Sequence, residues 1–334
     1  MYVQALLGFR PARSHSGVRQ CNETPRTGPR TWGMISRSTV LGGLIVVELA
    51  IVGAAASALT GGGTSPQYGA PTSMGSTQLD RTFITGPAPR VVVDVQDVHV
   101  TVETGGSPSV HVVETVSARG FMSGKPDAVV AEQTPDGIRV RSTGEGSVHV
   151  MLGEFNHELR LVVPATARLE LATGGRIDAA GLRAKLVAHS SDGSIHVRDH
   201  QADLDASTDS GRVELVDVQG KAIDATTRDG RIYLTRVGAD RLVAHSDSGR
   251  IVGAGIRAVD GSLTTADGRV IVSFTPGSDA TAQVHTDDGE VSVAGFSSTD
   301  DGASKRTVRL GPGRGHFEIS TASGPITITQ GANV

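Results

Sequence analysis

A short sequence pattern returns every 18–21 residues from about Leu186 onward, and it constrains the fold more than any other feature of the chain. Around each repeat glycine, Leu or Ile tends to stand seven residues before it, Ser or Thr three before it, and Ile or Val two after it. A fixed period of this size is typical of architectures in which equivalent units stack on one another. The repeat glycines are Gly193, Gly211, Gly230, Gly249, Gly268, Gly289 and Gly324.

Within each repeat, apolar residues stand two positions apart, which is the periodicity of strands and not of helices. An Asp or Ser before the glycine predicts a tight turn between two strands, since glycine adopts positive φ without steric cost. Stacked coils and side-by-side hairpins both fit this pattern. The same residue types recur at equivalent positions from repeat to repeat, which favours the stacked coils. We expect an inward Ser/Thr column to cap the turn: Ser190, Thr208, Thr227, Ser246, Thr265, Thr286 and Thr321.

Two regions depart from this period. Between Gly289 and Gly324 the spacing grows to 35 residues, and the polar stretch at 297–306 predicts a loop excursion from one coil or an extra, degenerate coil. Toward the N-terminus, alternating valines between Val91 and Val112 predict three strands. We interpret residues 91–175 as atypical first coils or a cap, which a solenoid needs to cover its exposed end.

The front of the chain differs from the rest in composition. Residues 1–39 hold six Arg, one Glu and the single Cys, and predict a disordered basic segment. Residues 40–59 are almost entirely apolar and long enough to cross a bilayer. The Arg-rich flank predicts that the N-terminus stays inside and the remainder lies outside. A start at Met34 followed by cleavage after Ala58 is the alternative, with 40–59 as a signal peptide.

Residues 60–90 are rich in Gly, Ser, Thr and Pro and predict a flexible linker, followed by one elongated domain at 91–331. From Leu59 onward the chain has 25 basic and 33 acidic residues, a net charge of −8. This balance argues against nucleic acid as a partner and against charge-driven docking on anionic lipid. The same part has no Cys, which excludes disulfides and a cysteine-based active site.

The position after the repeat glycine carries an arginine in four consecutive repeats: Arg212, Arg231, Arg250 and Arg269. Stacked coils would turn them into an outward column suited to carboxylate or phosphate groups. Alternatively, Asp residues near the same turns neutralise them, with little effect per pair. Insertions in solenoids often lie on a binding face, which adds four candidate binding residues: Asp300, Asp301, Lys305 and Arg306.

No catalytic or metal-binding pattern emerges from the sequence. Gly-x-Ser-x-Gly, His-Glu-x-x-His and Walker motifs are missing, and the Asp-rich turns match no calcium loop. His189, His245 and His285 share one column, but separations of about 14 and 10 Å are too large for one Zn²⁺. One Trp, three Tyr and seven Phe are few for a glycan-cleaving β-helix. We therefore expect no cofactor, no metal and no enzymatic activity.

Three features together resemble a known family: Leu161–Ala165 followed by Arg168–Ile177, the repeated Asp/Ser-Gly turns, and the closing segment Gly311–Ile326. They resemble the bacterial putative-adhesin family of β-strand-repeat domains over about residues 91–331. The resemblance implies a right-handed β-helix-like fold and a location outside the cytoplasm, and it supplies no catalytic residues.

These observations predict an all-β, right-handed β-solenoid domain behind one N-terminal transmembrane or signal helix. We expect a non-catalytic, envelope-associated binding or structural module whose partner is a cell-envelope polymer or another surface protein. It would be a single-pass protein of the cell membrane, or secreted if cleaved after Ala58. Two alternatives remain: an accessory or sensor subunit of a membrane complex that uses Glu48 as a polar contact, and a polysaccharide-processing β-helix enzyme.

Overall fold

The computed structural model describes residues 72–300 and 302–331, and the regular elements in these ranges are all strands. The predicted basic segment at 1–39 and the predicted apolar span at 40–59 lie outside the described residues. Among the residues that are described, none belongs to a helix long and apolar enough to cross a membrane.

The strands fall into an N-terminal group, a repeating middle group and a C-terminal group. The N-terminal group is β1 Thr72–Ile84, β2 Arg90–Asp94, β3 His99–Gly105, β4 Ser109–Lys125, β5 Val129–Thr134, β6 Gly137–Ser142 and β7 Ser147–Pro164. The middle group is β8 Arg168–Thr173, β9 Ile177–Ala180, β10 Leu186–Ser190, β11 Ile195–Gln201, β12 Leu204–Thr208, β13 Val213–Thr227, β14 Ile232–Thr235, β15 Gly238–Ser246, β16 Ile251–Asp267 and β17 Val270–Phe274. The C-terminal group is β18 Ala280–Asp288, β19 Val291–Ala294, β20 Ser297–Asp300, β21 Lys305–Leu310, β22 Gly315–Ser323 and β23 Ile326–Gln330.

The middle of the chain is a parallel stack of coils, which confirms the predicted solenoid over the hairpin arrangement. Each coil contributes a pre-turn strand, before the repeat glycine, and a post-turn strand after it. Leu204 pairs in parallel with Leu186 on one side and Ile223 on the other. In the post-turn strands, Val213 likewise lies between two neighbouring coils. The inward Leu, Ile, Val and Ala residues are buried and form the core as columns along the stack.

The Ser/Thr column ties each coil to the preceding one. Thr208 Oγ1 donates a hydrogen bond to the carbonyl oxygen of Gly193 at 3.0 Å and accepts one from the amide of Gly211 at 3.1 Å. Thr227 Oγ1 donates in the same way to the carbonyl of Gly211 at 3.2 Å. These side chains are buried, and the prediction that the column caps the turn is confirmed.

Close approach of backbones, and not positive φ, explains most of the repeat glycines. A Cβ at Gly230 would overlap the carbonyl oxygen of Gly211, and a Cβ at Gly249 would overlap that of Gly230. Among the repeat glycines only Gly324 has positive φ, at 135°. Left-handed backbone occurs instead at a second corner, six residues after the glycine, at Asp199 (φ 52°), Asp217 (56°), Arg236 (53°) and Gly255 (70°).

The order of coils in space departs from their order in the sequence at both ends. The pre-turn strand β22 pairs with β16 on one side and β18 on the other. Its post-turn partner β23 lies between β17 and β19. At the N-terminal end, β2 lies between β6 and β8, and β3 lies between β7 and β9. The first and last coils in the sequence are therefore inserted into the stack and do not form its ends.

Antiparallel strands cover both ends, and they correct two predictions. The strand β1 lies inside the predicted flexible linker and pairs with β4, because Leu79 and Phe83 pack against the core. The predicted loop at 297–306 is instead a hairpin, in which β20 pairs with β21 and β21 pairs with β18. The hairpin extends the pre-turn sheet by two strands beyond β18, which belongs to the coil at the spatial end of the stack.

Candidate functional site

The four arginines that follow the repeat glycines lie in one exposed column, the Arg column. Backbone hydrogen bonds fix their order: the amide of Ile195 donates to the carbonyl of Arg212 at 2.8 Å, and that of Val213 donates to the carbonyl of Arg231 at 3.0 Å. The same pattern, at 3.0 Å each, continues through Arg250 and Arg269. Equivalent residues of neighbouring coils are therefore about 4.8 Å apart, and all four arginines are exposed.

Within the described residues, none of these four arginines forms an ion pair. Two of the Asp residues expected to neutralise them have other partners: Asp209 lies 3.4 Å from Arg228 and Asp247 lies 3.0 Å from His245. Mutual neutralisation, the alternative interpretation of the column, is therefore not seen in this geometry. The guanidinium groups are left to face solvent or an external anion.

One arginine of the column contacts an aromatic ring, and the column ends after Arg269. The guanidinium carbon of Arg212 lies 5.2 Å from the ring centroid of Tyr233, a cation–π contact that orients this side chain. Beyond Arg269, the equivalent position is taken by Pro325 and then by Glu290, because the last two coils are exchanged. The cationic stretch is therefore bounded on its C-terminal side by a neutral residue and an acid.

On the N-terminal side, the column passes through Ser194 to a fifth arginine, Arg176, which is already paired. Its Nε lies 2.6 Å from Asp178, and His99 Nε2 lies 2.6 Å from the same carboxylate. Burial acts to raise the pKa of Asp178, but hydrogen bonds from Arg176 and His99 outweigh it and lower this pKa. Burial, with the charge of Arg176, lowers the pKa of the adjacent His196. Arg176 was not among the predicted binding residues. It could have been recognised as a member of the column because it follows Gly175 and precedes Ile177, as the other arginines follow a glycine and precede Ile or Val.

The second predicted group lies on the C-terminal hairpin and does not join the Arg column. The backbone of Asp300 pairs with that of Arg306 across the hairpin, and Lys305 pairs with His285 of β18. Lys305 is exposed and Arg306 is half-buried, whereas Asp301 lies outside the described residues. The hairpin continues the pre-turn sheet, while the Arg column runs along the turns, so the candidates form two separate surfaces.

The exchanged coils also move the histidines farther apart than predicted. Between His245 and His285 lie the coils of Thr264 and Ser320, three steps in place of two. Their separation is therefore about 14 Å, where sequence order gave about 10 Å. No group of three or more potential metal ligands occurs in the described part of the chain.

Comparison with known proteins identifies the family. Residues 89–329 match the Toastrack DUF4097 family. A "putative cell adhesion protein" from Clostridium sporogenes ATCC 15579 is a similar solved structure, with 10% identity, a TM-score of 0.24, and coverage of 78% of this chain and 100% of that one. A "putative adhesin" from Bacteroides fragilis NCTC 9343 has 12% identity and a TM-score of 0.41, and the match covers 75% of this chain and 96% of that one. A "putative adhesin" from Parabacteroides merdae ATCC 43184 has 12% identity and a TM-score of 0.39, and the match covers 79% of this chain and 95% of that one.

No curated protein matches the chain. The family match spans most of the sequence and includes the whole repeating stack, which agrees with the resemblance drawn from the repeat motifs. The chain belongs to the Toastrack DUF4097 family.

Proposed function

We propose that the domain is a non-catalytic binding module outside the cytoplasm, and that the Arg column holds an anionic polymer of the cell envelope. The observation that supports this proposal is the run of Arg212, Arg231, Arg250 and Arg269, exposed and without ion-pair partners among the described residues. Guanidinium groups bind carboxylate and phosphate through paired hydrogen bonds. A row of them suits a ligand with repeated charges better than a single small anion.

The rigid spacing of the column favours such a ligand. Each arginine is anchored in a hydrogen-bonded ladder between two neighbouring coils, so binding orders side chains without ordering backbone. One exposed ion pair contributes only about 0.2–1 kcal/mol. Affinity therefore depends on engaging several sites at once, through the high effective concentration along a polymer. The net charge of −8 from Leu59 onward opposes general attraction of polyanions, which makes binding depend on the column itself.

The proposed location rests on the sequence of the N-terminal region. Residues 40–59 are long enough to span a bilayer, and the arginines before them favour an inside N-terminus. A C-terminal tag that is membrane-bound and protease-sensitive on intact cells is the expected result. A tag released into the medium would indicate cleavage after Ala58, and a protected cytoplasmic tag would contradict the location and the envelope function with it.

The binding proposal is tested with the full chain in detergent micelles and long-chain polyphosphate as the probe. Replacing Arg231 and Arg250 together with Ser should weaken binding about tenfold, since two ion pairs are lost. The matched control replaces Arg141 and Arg160 with Ser, which removes the same charge at exposed arginines that already pair with Glu132 and Glu103. The control should change binding less than twofold. Equal losses in both variants, or no loss in the first, would contradict the proposal.

A further inference from the structure

The C-terminal end of the stack contains an open hollow that is separate from the Arg column. Its volume is about 420 Å³, within the range of small-molecule sites. It lies on the three antiparallel strands β18, β21 and β20, where one cross-strand row joins Thr281, Arg309 and Ser297. Ser298, Thr299 and Gly313 also line it.

The guanidinium of Arg309 is held in place by the turn that follows it. Arg309 Nη2 donates a hydrogen bond to the carbonyl oxygen of Pro312 at 2.6 Å. Gly313 has φ of 74°, and a Cβ there would lie 3.1 Å from both Cγ and Nε of Arg309, so glycine leaves room for this side chain. Thr281 Oγ1 donates to the carbonyl of Gly313 at 3.0 Å and fixes the turn. In the described ranges no carboxylate pairs with Arg309, which is exposed.

The lining offers two kinds of chemistry side by side. The hydroxyl groups of Ser297 and Thr299 both donate and accept hydrogen bonds, as sugar hydroxyls require, and both residues are exposed. A positioned guanidinium binds carboxylate or phosphate. The hollow has no aromatic side chain in its lining, so it provides no stacking platform for a neutral sugar.

We propose that this hollow binds an acidic sugar unit, a saccharide bearing a carboxylate or phosphate, with Arg309 as the anion-binding residue. Ser297 and Thr299, whose side chains share the face of Arg309, contact the sugar hydroxyls. This site stands whether or not the Arg column holds a polymer, because the two share no residue. A smaller groove of about 190 Å³ beside His189 and Ser207 is less suited, since its guanidinium, that of Arg228, lies 3.4 Å from Asp209.

Saturation-transfer NMR on the full chain in detergent micelles tests the site, with glucuronate, glucose 6-phosphate and glucose as probes. At least one acidic sugar should bind, and glucose should give no signal. Stronger binding of glucuronate assigns the group as a carboxylate, and stronger binding of glucose 6-phosphate assigns it as a phosphate. If neither acid binds better than glucose, the proposal is overturned.

Three substitutions locate the binding. Arg309→Gln should weaken binding of the acidic sugar at least tenfold. Gly313→Ala should weaken this binding severalfold, because the new Cβ displaces the guanidinium of Arg309 without changing its charge. Arg241→Gln removes the same charge from an exposed arginine of β15 that belongs to neither surface, and it should leave the signal unchanged. Arg309→Lys keeps the charge but loses the paired donors, and should also weaken binding. Equal losses with Arg241→Gln and Arg309→Gln, or undiminished binding with Gly313→Ala, would overturn the assignment.

Discussion

The middle coils and the C-terminal end of the stack are built from the same repeat but are assembled differently. From Gly193 to Gly268, each coil lies on the one before it in the sequence, and its hydroxyl bonds that coil's glycine carbonyl. At the C-terminal end, Thr321 bonds Gly268 and Thr286 bonds Gly324, so the last coil is inserted before the penultimate one. The same local chemistry therefore joins coils whatever their order, and something other than the repeat decides which coil follows which.

The largest effect is expected from Ile328→Ala in β23, close to the C-terminus. Because β23 lies between two strands and Ile328 is fully buried, the substitution should lower the free energy of unfolding by about 4 kcal/mol. Val293→Ala in β19, at the real end of the stack and half-buried, is the matched variant and should cost less than half as much. Urea denaturation measures both, and equal small losses would mean that the C-terminus frays as an ordinary end.

A somewhat smaller effect is expected from Gly230→Ala in the middle of the stack. The new Cβ meets the carbonyl of Gly211, and relieving this backbone overlap should cost about 3 kcal/mol. Gly106→Ala is the control, because a Cβ there has no atom within 4 Å and its φ is not positive. Unfolding midpoints should separate the two variants clearly. Similar stabilities would show that the coils are not packed at this distance.

Thr208→Val tests the hydroxyl ladder that both regions share. The buried Thr208 hydroxyl serves the carbonyl of the half-buried Gly193 and the amide of the buried Gly211, so its loss leaves both groups without this partner, at a cost of about 2 kcal/mol. Thr208→Ser keeps the hydroxyl and should retain most of the stability. A Val variant as stable as the Ser variant, measured by denaturation, would remove the ladder from the forces that join coils.

The smallest effect concerns His200, a histidine in the core of the middle coils. Burial lowers its pKa below the ordinary 6.5, so the folded state favours the neutral ring. Its contribution to stability is therefore complete above about pH 6.5 and is lost as pH falls through the folded-state pKa, by at most about 1.4 kcal/mol per pH unit. His200→Leu should reduce the difference in unfolding free energy between pH 8 and pH 5. An unchanged difference would show that His200 does not contribute.

The sequence was sufficient to predict the middle coils because each column repeats one requirement. Apolar residues two apart fill the core, the hydroxyl caps the turn, and the glycine admits the next backbone. The second corner was missed because its left-handed positions are held by residues as different as Asp217, Arg236 and Gly255. Conformation is shared there but chemistry is not, so no column of similar residues reveals it.

The exchanged ends could not be predicted from the period, although one signal was present. Phe317 occupies a core column where its neighbours in space are Gly261 and Ala282, and it also meets Phe274 edge-on at 5.5 Å. In sequence order the column runs Gly261, Ala282, Phe317, which puts the two small residues together and the large one outside them. Inserting the last coil places the large side chain between two small ones. For the Arg column, sequence order and spatial order coincide, which is why its four members were found.

Disulfide trapping tests the exchange of the last two coils most directly. In a Cys21→Ser background, the pair Thr264→Cys and Ser320→Cys should cross-link under mild oxidation, because registered residues of adjacent strands lie about 4.8 Å apart. The pair Thr264→Cys and His285→Cys should stay reduced, since the coil of Ser320 separates these residues by about 9.6 Å. The opposite result, a cross-link from 264 to 285 and none from 264 to 320, would mean that the coils stack in sequence order and that the last coil is not inserted.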